Sequence, residues 1–374
     1  MTQAPIYMDH NATAPVLPEA RAAVAEALSI LGNASSVHGF GRRARQEADA
    51  ARGAVAALVG ARPEDLVFTS GGTEANNLAL ANAGERRILV SAIEHDSILR
   101  AAPEAELIPV DGDGVVLLEA LTEAIARPGA KPALVSLMLA NNETGVVQPV
   151  AEAAAIARRH GAVVHCDAVQ AAGKIAVDIR TLGADMLTLS AHKLGGPMGV
   201  GALVLGENVA LRPTLLGGGQ ESWRRAGTEN LSGIAGFAAA AYVAARSLSE
   251  AAGLAALRDE IERRVLDIAT DAPIYGRKAP RLPNTACIGM PGVKGETQVM
   301  AFDLAGIAVS AGAACSSGKV QASAVLQAMG VKGDTAGQAI RVSLGRGNGP
   351  ADAGRFVAAW KELYGRARRL KEAA

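Results

Sequence analysis

Aromatic residues and an excess of charge of either sign are both scarce in this chain of 374 residues. Phe, Trp and Tyr together make up 3% of it, which is too few for a surface on which nucleic-acid bases stack. Lys+Arg and Asp+Glu both number 37, so the formal net charge is zero. A nucleic-acid surface that depends on bulk positive charge is therefore not expected.

Long apolar runs and paired cysteines are lacking as well. The most apolar stretch, residues 231–245, is shorter than the ~20 residues that a membrane span requires. Residues 1–15 lack the basic start and apolar run of a secretory signal. Cys166, Cys287 and Cys315 contain no C-x-x-C pair and are too scattered to hold zinc. We therefore expect a cytoplasmic protein without a bound metal that contacts neither membrane nor nucleic acid.

The first two thirds of the chain alternate short apolar runs with helical patterns. Continuous apolar runs, typical of strands covered on both faces, predict strands over residues 66–69, 87–91, 133–140, 162–167, 186–190 and 201–205. Helices are predicted over 41–59, where Ala44, Ala48 and Val55 recur at helical spacing, and over 150–160. This alternation predicts an α/β fold with a mostly parallel sheet flanked by helices.

The pattern of residue types changes after about residue 249. Long charged helical patterns, over residues 254–269 and 351–371, flank segments rich in Pro and Gly. With 374 residues, two domains are the natural expectation. We predict a large domain over residues 15–248 and a small α+β domain formed by residues 1–14 and 249–374.

Ligands of parallel sheets bind beyond the carboxyl ends of the strands, and five predicted strands end in chemically useful residues. Taken singly, each has a structural explanation, such as a turn, a helix cap or a solvated charge. Together they bring a glycine-rich helix start, an imidazole, an amide, a carboxylate and an amine to one edge. In chain order these are Ser70–Gly71–Gly72–Thr73, His95, Asn142, Asp167 with Gln170 close behind, and Ser190–Ala191–His192–Lys193.

Pyridoxal phosphate is the cofactor that requires this combination. It needs a lysine that tethers it covalently, a carboxylate that keeps its ring nitrogen protonated, and a cradle for its phosphate. Other cofactors fit poorly. No strand leads into G-x-G-x-x-G with an acid about 20 residues later. The stretch from Gly312 to Gly318-Lys319 has the wrong spacing for a phosphate-binding P-loop, and Val320 stands where Ser or Thr is required.

The chain resembles the cysteine desulfurases, which are pyridoxal-phosphate enzymes of the class V aminotransferase type. The segment S-A-H-K-L-G-G-P at 190–197 is similar to the cofactor-lysine segment of that family. Further blocks follow the family's order along nearly the whole chain, at residues 9–13, 70–77, 141–145, 167–170, 224–230 and 341–346. The resemblance implies a fold-type-I transferase whose large domain has a seven-stranded sheet, and a homodimer.

The resemblance also implies a role for each site residue. Lys193 would tether the cofactor, Asp167 would pair with its ring nitrogen, and Gln170 would donate to its ring oxygen. Asn142 and Arg341 would bind the substrate carboxylate, for which a planar guanidinium is suited. His95 would stack on the ring and, with Lys193, is a candidate for moving the α-proton. The phosphate would be held by Gly72, Thr73, Ser190 and His192, and by Thr228 of the partner subunit.

Cys315 limits the set of reactions that such a site can be expected to perform. It lies in A-G-A-A-C-S-S-G, a run of small residues with few anchoring side chains, whereas Cys166 and Cys287 fit a buried core. The resemblance implies that L-cysteine loses its sulfur to Cys315, giving L-alanine and an enzyme persulfide. The loop and R-V-S-L-G-R at 341–346 are similar to the branch of the family that supplies acceptor proteins for iron–sulfur cluster assembly or tRNA thiolation. A selenocysteine lyase or another class V enzyme remains the alternative, and a non-catalytic protein with the same fold is a third hypothesis.

Overall fold

The structure is a computed structural model that describes residues 4–207, 209–312 and 322–372. Its strands are β1 (Ile6–Tyr7), β2 (Leu66–Thr69), β3 (Arg87–Ser91), β4 (Glu106–Ile108), β5 (Ala133–Met138), β6 (Val163–Asp167), β7 (Met186–Ser190), β8 (Gly201–Leu205), β9 (Ile274–Tyr275), β10 (Thr285–Gly289), β11 (Ile307–Ala308) and β12 (Ala339–Ser343). Its helices are α1 (Pro18–Ala27), α2 (Gly39–Leu58), α3 (Gly72–Ala81), α4 (Asp96–Leu99), α5 (Leu118–Ile125), α6 (Val150–Arg159), α7 (Ile179–Leu182), α8 (Leu231–Arg246), α9 (Ala251–Ile268), α10 (Gly295–Leu304), α11 (Ala324–Ala328) and α12 (Pro350–Glu372).

A seven-stranded sheet organises the larger part of the molecule, in the order β2-β8-β7-β6-β5-β3-β4. Neighbouring strands are parallel except around β8, which runs antiparallel to both β2 and β7. The strands β2, β3, β5, β6 and β7 therefore all end at the same edge. The predicted α/β fold with a mostly parallel seven-stranded sheet is confirmed.

Both faces of this sheet are covered, which explains the continuous apolar runs. Alternate residues of one strand enter different hydrophobic clusters: Leu66 and Phe68 pack in one, and Val67 packs in the other. A strand buried on both faces cannot show the polar–apolar alternation of a half-exposed strand.

A separate hydrophobic cluster lies in the remaining part of the chain. It joins Ile6 and Met8 of the N-terminal segment to residues of α9, β10, β12 and α12, with the stacked pair Phe302 and Phe356 among them. Some residues after 249, such as Leu282 and Val325, pack instead into the larger cluster around the seven-stranded sheet. The boundaries of the two domains stay a prediction.

Several element boundaries differ from the predictions. The strand predicted over 162–167 begins at Val163, and the helix predicted over 41–59 covers Gly39–Leu58. The strand predicted over 133–140 ends at Met138, which pairs with Asp167, the last residue of the neighbouring strand β6. The edge strand β4 was not among the strands located from the sequence. It has three residues, and Leu107 at its centre is 61% exposed, so it leaves no buried apolar run to find.

The apolar stretch at 231–245 forms most of α8. Among the described residues, no single helix is long and apolar enough to cross a membrane, and only α8 together with residues 248–268, bent by 51°, reaches that length. Phe237, Ala240 and Ala241 of α8 are fully buried in the protein.

Candidate active site

One cavity collects nearly all of the predicted site residues. It has a volume of about 440 Å³ and lies at the edge where the parallel strands end. We refer to it as the Lys193 cavity. The predicted residues that line it are Gly72, Thr73, His95, Asn142, Asp167, Gln170, Ser190, His192, Lys193 and Arg341.

Lys193 follows β7 at the end of a short 3₁₀ turn, Ala191–Lys193. Its Nζ donates to the carbonyls of Asn11 at 2.7 Å and Ala12 at 2.9 Å. The N-terminal segment therefore holds the amine at the cavity, although residues 11 and 193 lie far apart in sequence.

Asp167 is the last residue of β6 and is buried. The backbone N–H of Val169 donates to its Oδ1 at 2.9 Å, and Nδ2 of Asn76 donates to its Oδ2 at 2.8 Å. Both donors are uncharged. The carboxylate is thus oriented without either of these contacts neutralising its charge, as a partner of a protonated ring nitrogen must be.

Gln170 is held in one orientation by Asn11 and Lys174, neither of which was given a role from the sequence. Its Nε2 donates to the carbonyl of Asn11 at 2.9 Å, and Nζ of Lys174 donates to its Oε1 at 2.7 Å and to Oδ1 of Asn11 at 2.9 Å. Because a carbonyl can only accept, the contact with Asn11 fixes Nε2 as the donor and turns Oε1 toward Lys174. Desolvation, and then the positive charges of Lys193 and Arg341, hold the pKa of Lys174 well below its usual range.

The glycine-rich end of the cavity is formed by the start of α3 and the end of β7. The first N–H groups of a helix lack acceptors within the helix, so this end suits an anion. Gly201 of β8 allows the loop before α3 to come close, since a Cβ there would lie 2.6 Å from the carbonyl carbon of Gly71. Burial, and then the charge of Lys193, lower the pKa of His192 to about 4. His192 is therefore neutral at pH 7.

Arg341 lies on β12 and reaches the cavity from the second hydrophobic cluster's sheet; it is only 3% exposed. Its Nη2 donates to Oδ1 of Asp9 at 2.7 Å, and its Nη1 donates to the carbonyl of Asn142 at 3.2 Å. Its Nε is buried and has no hydrogen-bond partner among the described residues. The guanidinium is thus fixed in place at the wall of the cavity.

Glu94 is a further cavity residue to which no role was assigned from the sequence. The backbone N–H of Met138 and the hydroxyl of Ser91 both donate to its Oε1, at 2.7 Å and 2.9 Å. Complete burial is the main cause that raises the pKa of Glu94 to about 8. Glu94 is therefore mostly protonated at pH 7.

Two predicted residues are not in this group. Thr228 is exposed and lines a different cavity of about 110 Å³, together with Ser70 and Arg225. Cys315 lies outside the described residues. The other two cysteines, Cys166 and Cys287, are buried as expected, and burial raises the pKa of both thiols.

A neighbouring cavity of about 500 Å³ also touches Lys193. It lies between the N-terminal segment, the start of α9 and the loop after β12. Asp167, Gln170 and Gly72 do not line it. The chemistry therefore belongs to the Lys193 cavity.

The residues of the Lys193 cavity fit pyridoxal phosphate. They offer an amine, a buried carboxylate, an oriented amide donor and a helix start for the phosphate. Within the described part of the chain, the buried Oδ1 of Asn76 and Nε of Arg341 have no hydrogen-bond partner. The fold and this site together define a pyridoxal-phosphate-dependent enzyme.

Comparison with known proteins agrees with this class. The family described as aminotransferase class-V matches residues 6–356, and the chain belongs to that family. It is 43% identical over 367 residues to a cysteine desulfurase of Cereibacter sphaeroides, covering 94% of each protein.

Two solved structures extend the comparison. A NifS-like protein from Rickettsia africae superposes with a TM-score of 0.90 at 36% identity, covering 96% of this chain and 99% of that one. A structure titled SspA in complex with cysteine matches with a TM-score of 0.77 at 28% identity, covering 91% of this chain and 98% of that one. The predicted family and cofactor are confirmed.

Proposed function

We propose that this protein is a cysteine desulfurase that transfers the sulfur of L-cysteine to Cys315 and releases L-alanine. Atoms balance in this step: the Cβ–S bond of the substrate breaks, an S–S bond forms on Cys315, and the substrate carbon takes up a proton. The strongest support is that Lys193, Asp167 and Arg341 line one cavity. The names of the relatives support the same reaction.

The substrate is held by its carboxylate in this proposal. Arg341 lines the cavity, and its position is fixed by Asp9 and by the carbonyl of Asn142. The side chain of Asn142 lines the same cavity. Lys193 lines the same cavity, so the amino group of an L-amino acid bound in this way can face its amine.

The cofactor, when bound, supplies a protonated ring that withdraws electrons from the substrate α-carbon. Asp167 maintains that protonation, and Gln170 donates to the ring oxygen. Lys193 would tether the cofactor, and its amine would be the base that takes the α-proton. Gly72, Thr73, Ser190 and His192 bind the phosphate.

Cys315 distinguishes this reaction from other class V chemistry. The test is to incubate the enzyme with L-cysteine, measure alanine, and determine by intact mass whether one sulfur atom has been added. Cys315→Ala is expected to lose alanine formation from cysteine and the added mass, while keeping the absorbance of bound cofactor. Cys287→Ala is the matched control and is expected to keep both products, because its thiol is buried.

The alternative reactions give different results in the same experiment. Cysteine desulfuration that survives in Cys315→Ala would refute the persulfide step. Activity retained on selenocysteine alone would favour a selenocysteine lyase, because removal of selenium does not need the thiol. A colourless protein that takes up no pyridoxal phosphate would favour a non-catalytic role.

We further propose that the enzyme is a homodimer in which Thr228 reaches the phosphate of the partner's cofactor. Thr228 is exposed, and Arg225 of the same segment is anchored to Glu74 of α3 at 2.8 Å. Trp223 nearby is 72% exposed, and large exposed aromatics are typical of interfaces.

Co-expression of two inactive variants tests this arrangement. In a mixed dimer of Lys193→Ala and Thr228→Ala, one site would combine an intact Lys193 with an intact Thr228. Activity above that of either variant alone is expected. Purely additive activity, or a fully active monomer in sedimentation, would count against it. The sulfur acceptor, for iron–sulfur cluster assembly or tRNA thiolation, and the cytoplasmic location stay predictions.

A further inference from the structure

The imidazole of His95 is fixed in one protonation form by its neighbour Ser97. His95 caps α4, and the backbone N–H of Ser97 donates to its Nδ1 at 3.1 Å. A backbone N–H can only donate, so Nδ1 must present its lone pair. The proton of the neutral ring therefore lies on Nε2.

The hydroxyl of Ser97 supports the same assignment. Its Oγ lies 2.8 Å from Nδ1 of His95 and accepts from Nδ2 of Asn76 at 2.8 Å. Because Nδ1 carries no proton, the hydroxyl hydrogen is the one shared between these two atoms. Ser97 thus accepts on one side and donates to His95 on the other.

Asn76 connects this arrangement to Asp167. Its Nδ2 also donates to Oδ2 of the Asp167 carboxylate at 2.8 Å. An ionised carboxylate can only accept, so the amide must present its NH₂ group to it. The reversed amide would place its oxygen against the carboxylate and leave two buried N–H donors without these partners.

We infer that Asn76 and Ser97 are positioning residues. They connect Asp167 to His95 through hydrogen bonds and hold His95 as a neutral imidazole protonated on Nε2. Each hydrogen bond in the series runs in one direction, from Asn76 to Asp167, from Asn76 to Ser97, and from Ser97 to His95. Asn76 is 1% and Ser97 8% exposed, so water competes little for these contacts.

The consequence for catalysis rests on the proposed function. An imidazole with its proton on Nε2 and its Nδ1 occupied can donate a hydrogen bond at Nε2 but cannot take up a proton there. His95 therefore acts as a hydrogen-bond donor to the reacting molecule, and the α-proton is removed by the amine of Lys193. Protonation of Nδ1 would break its contact with the N–H of Ser97 and release the ring from this position. The sequence alone had left both residues as candidates for that step.

Nitrogen NMR of the holoenzyme with ¹⁵N-labelled histidine tests the protonation form directly. His95→Gln identifies the His95 signals by their loss. At pH 7.5 we expect an unprotonated Nδ1 and a protonated Nε2 for His95. A protonated Nδ1, or a doubly protonated ring at that pH, would overturn the inference.

Variants of Ser97 test the positioning role. Ser97→Ala keeps the backbone donor but loses the hydroxyl, so the neutral ring is stabilised less. The acid limb of the pH profile is expected to move to higher pH, with kcat/KM at pH 6 falling roughly fivefold relative to the value at pH 8. Ser97→Thr, which keeps a hydroxyl, is expected to restore the profile, and Asn76→Leu to shift it in the same direction as Ser97→Ala.

Ser136→Ala is the matched control, because Ser136 places its hydroxyl 2.8 Å from Nδ1 of His165 outside the cavity. It is expected to shift the His165 signals and leave those of His95 and the pH profile unchanged. An unchanged His95 profile in Ser97→Ala would refute the role of Ser97. The NMR result stands even if the enzyme releases no sulfur, so failure of the proposed function and failure of this inference remain distinguishable.

Discussion

Replacement of Arg341 by Gln is the most informative perturbation of the substrate site. The guanidinium is 3% exposed and is held by Asp9 and by the carbonyl of Asn142. Gln cannot supply the positive charge or the paired donors that a substrate carboxylate uses. If Arg341 binds that carboxylate, Arg341→Gln must weaken substrate binding.

The magnitude follows from the type of contact that is lost. A hydrogen bond to a charged group is worth about 1.5–3 kcal/mol, which corresponds to a decrease of about 10- to 150-fold in kcat/KM. The same change leaves the Asp9 carboxylate without its ion pair. Loss of one partner of a buried pair costs about 3–5 kcal/mol of stability. We expect the lower end of that range, because the hydroxyl of Ser310 still donates to Asp9 at 2.7 Å.

Kinetics and unfolding have to be measured together to separate the two effects. The double variant Asp9→Asn/Arg341→Gln removes the unpaired carboxylate, so it should recover much of the stability and none of kcat/KM. Arg281→Lys is the control outside the cavity, since Arg281 also forms a buried pair with a carboxylate, that of Glu262. It should lose stability and keep KM for cysteine.

One result would refute the reasoning. If Arg341→Gln, with cofactor fully bound, keeps KM for cysteine within twofold, then Arg341 supports the fold through Asp9 and does not bind substrate. Recovery of kcat/KM in the double variant would lead to the same conclusion.

Three further predictions concern the cofactor and the sheet. If Asp167 pairs with the ring nitrogen as proposed, Asp167→Asn should lower alanine formation by about 100-fold or more at full cofactor loading; a loss below tenfold would contradict its role. Lys174→Met removes the donor to Oε1 of Gln170, so the dissociation constant of pyridoxal phosphate, from absorbance titration, should rise about 2- to 10-fold, and an unchanged constant would be contrary evidence. Burial lowers the pKa of His165 from 6.5 to about 4, so the folded state binds fewer protons than the unfolded state between these values. The contribution of His165 to the free energy of unfolding is complete above pH 6.5. It should decrease by about 2 kcal/mol when the pH falls to 5. Urea unfolding at both pH values should show a smaller decrease in His165→Asn, and an equal decrease would contradict the assignment.

Much of the fold was predictable because strands that are buried on both faces appear in the sequence as continuous apolar runs. β2, β3, β7 and β8 begin and end at the predicted residues, since polar or glycine residues border each apolar run. The short exposed strand β4 has no such apolar run. The site residues at strand ends were predictable for the same reason, because the carboxyl ends of parallel strands share one edge.

The amino-acid sequence by itself determined the strands, the parallel sheet and the residue types that one cofactor requires, because these depend on local patterns and their order. Only the tertiary structure decided how those residues are oriented. Asn11 and Lys174 fix the amide of Gln170, Asn76 and Ser97 fix the imidazole of His95, and Asp9 fixes Arg341 across 332 residues. Such contacts depend on the direction of single donors and acceptors between distant segments, and no local spacing encodes that direction.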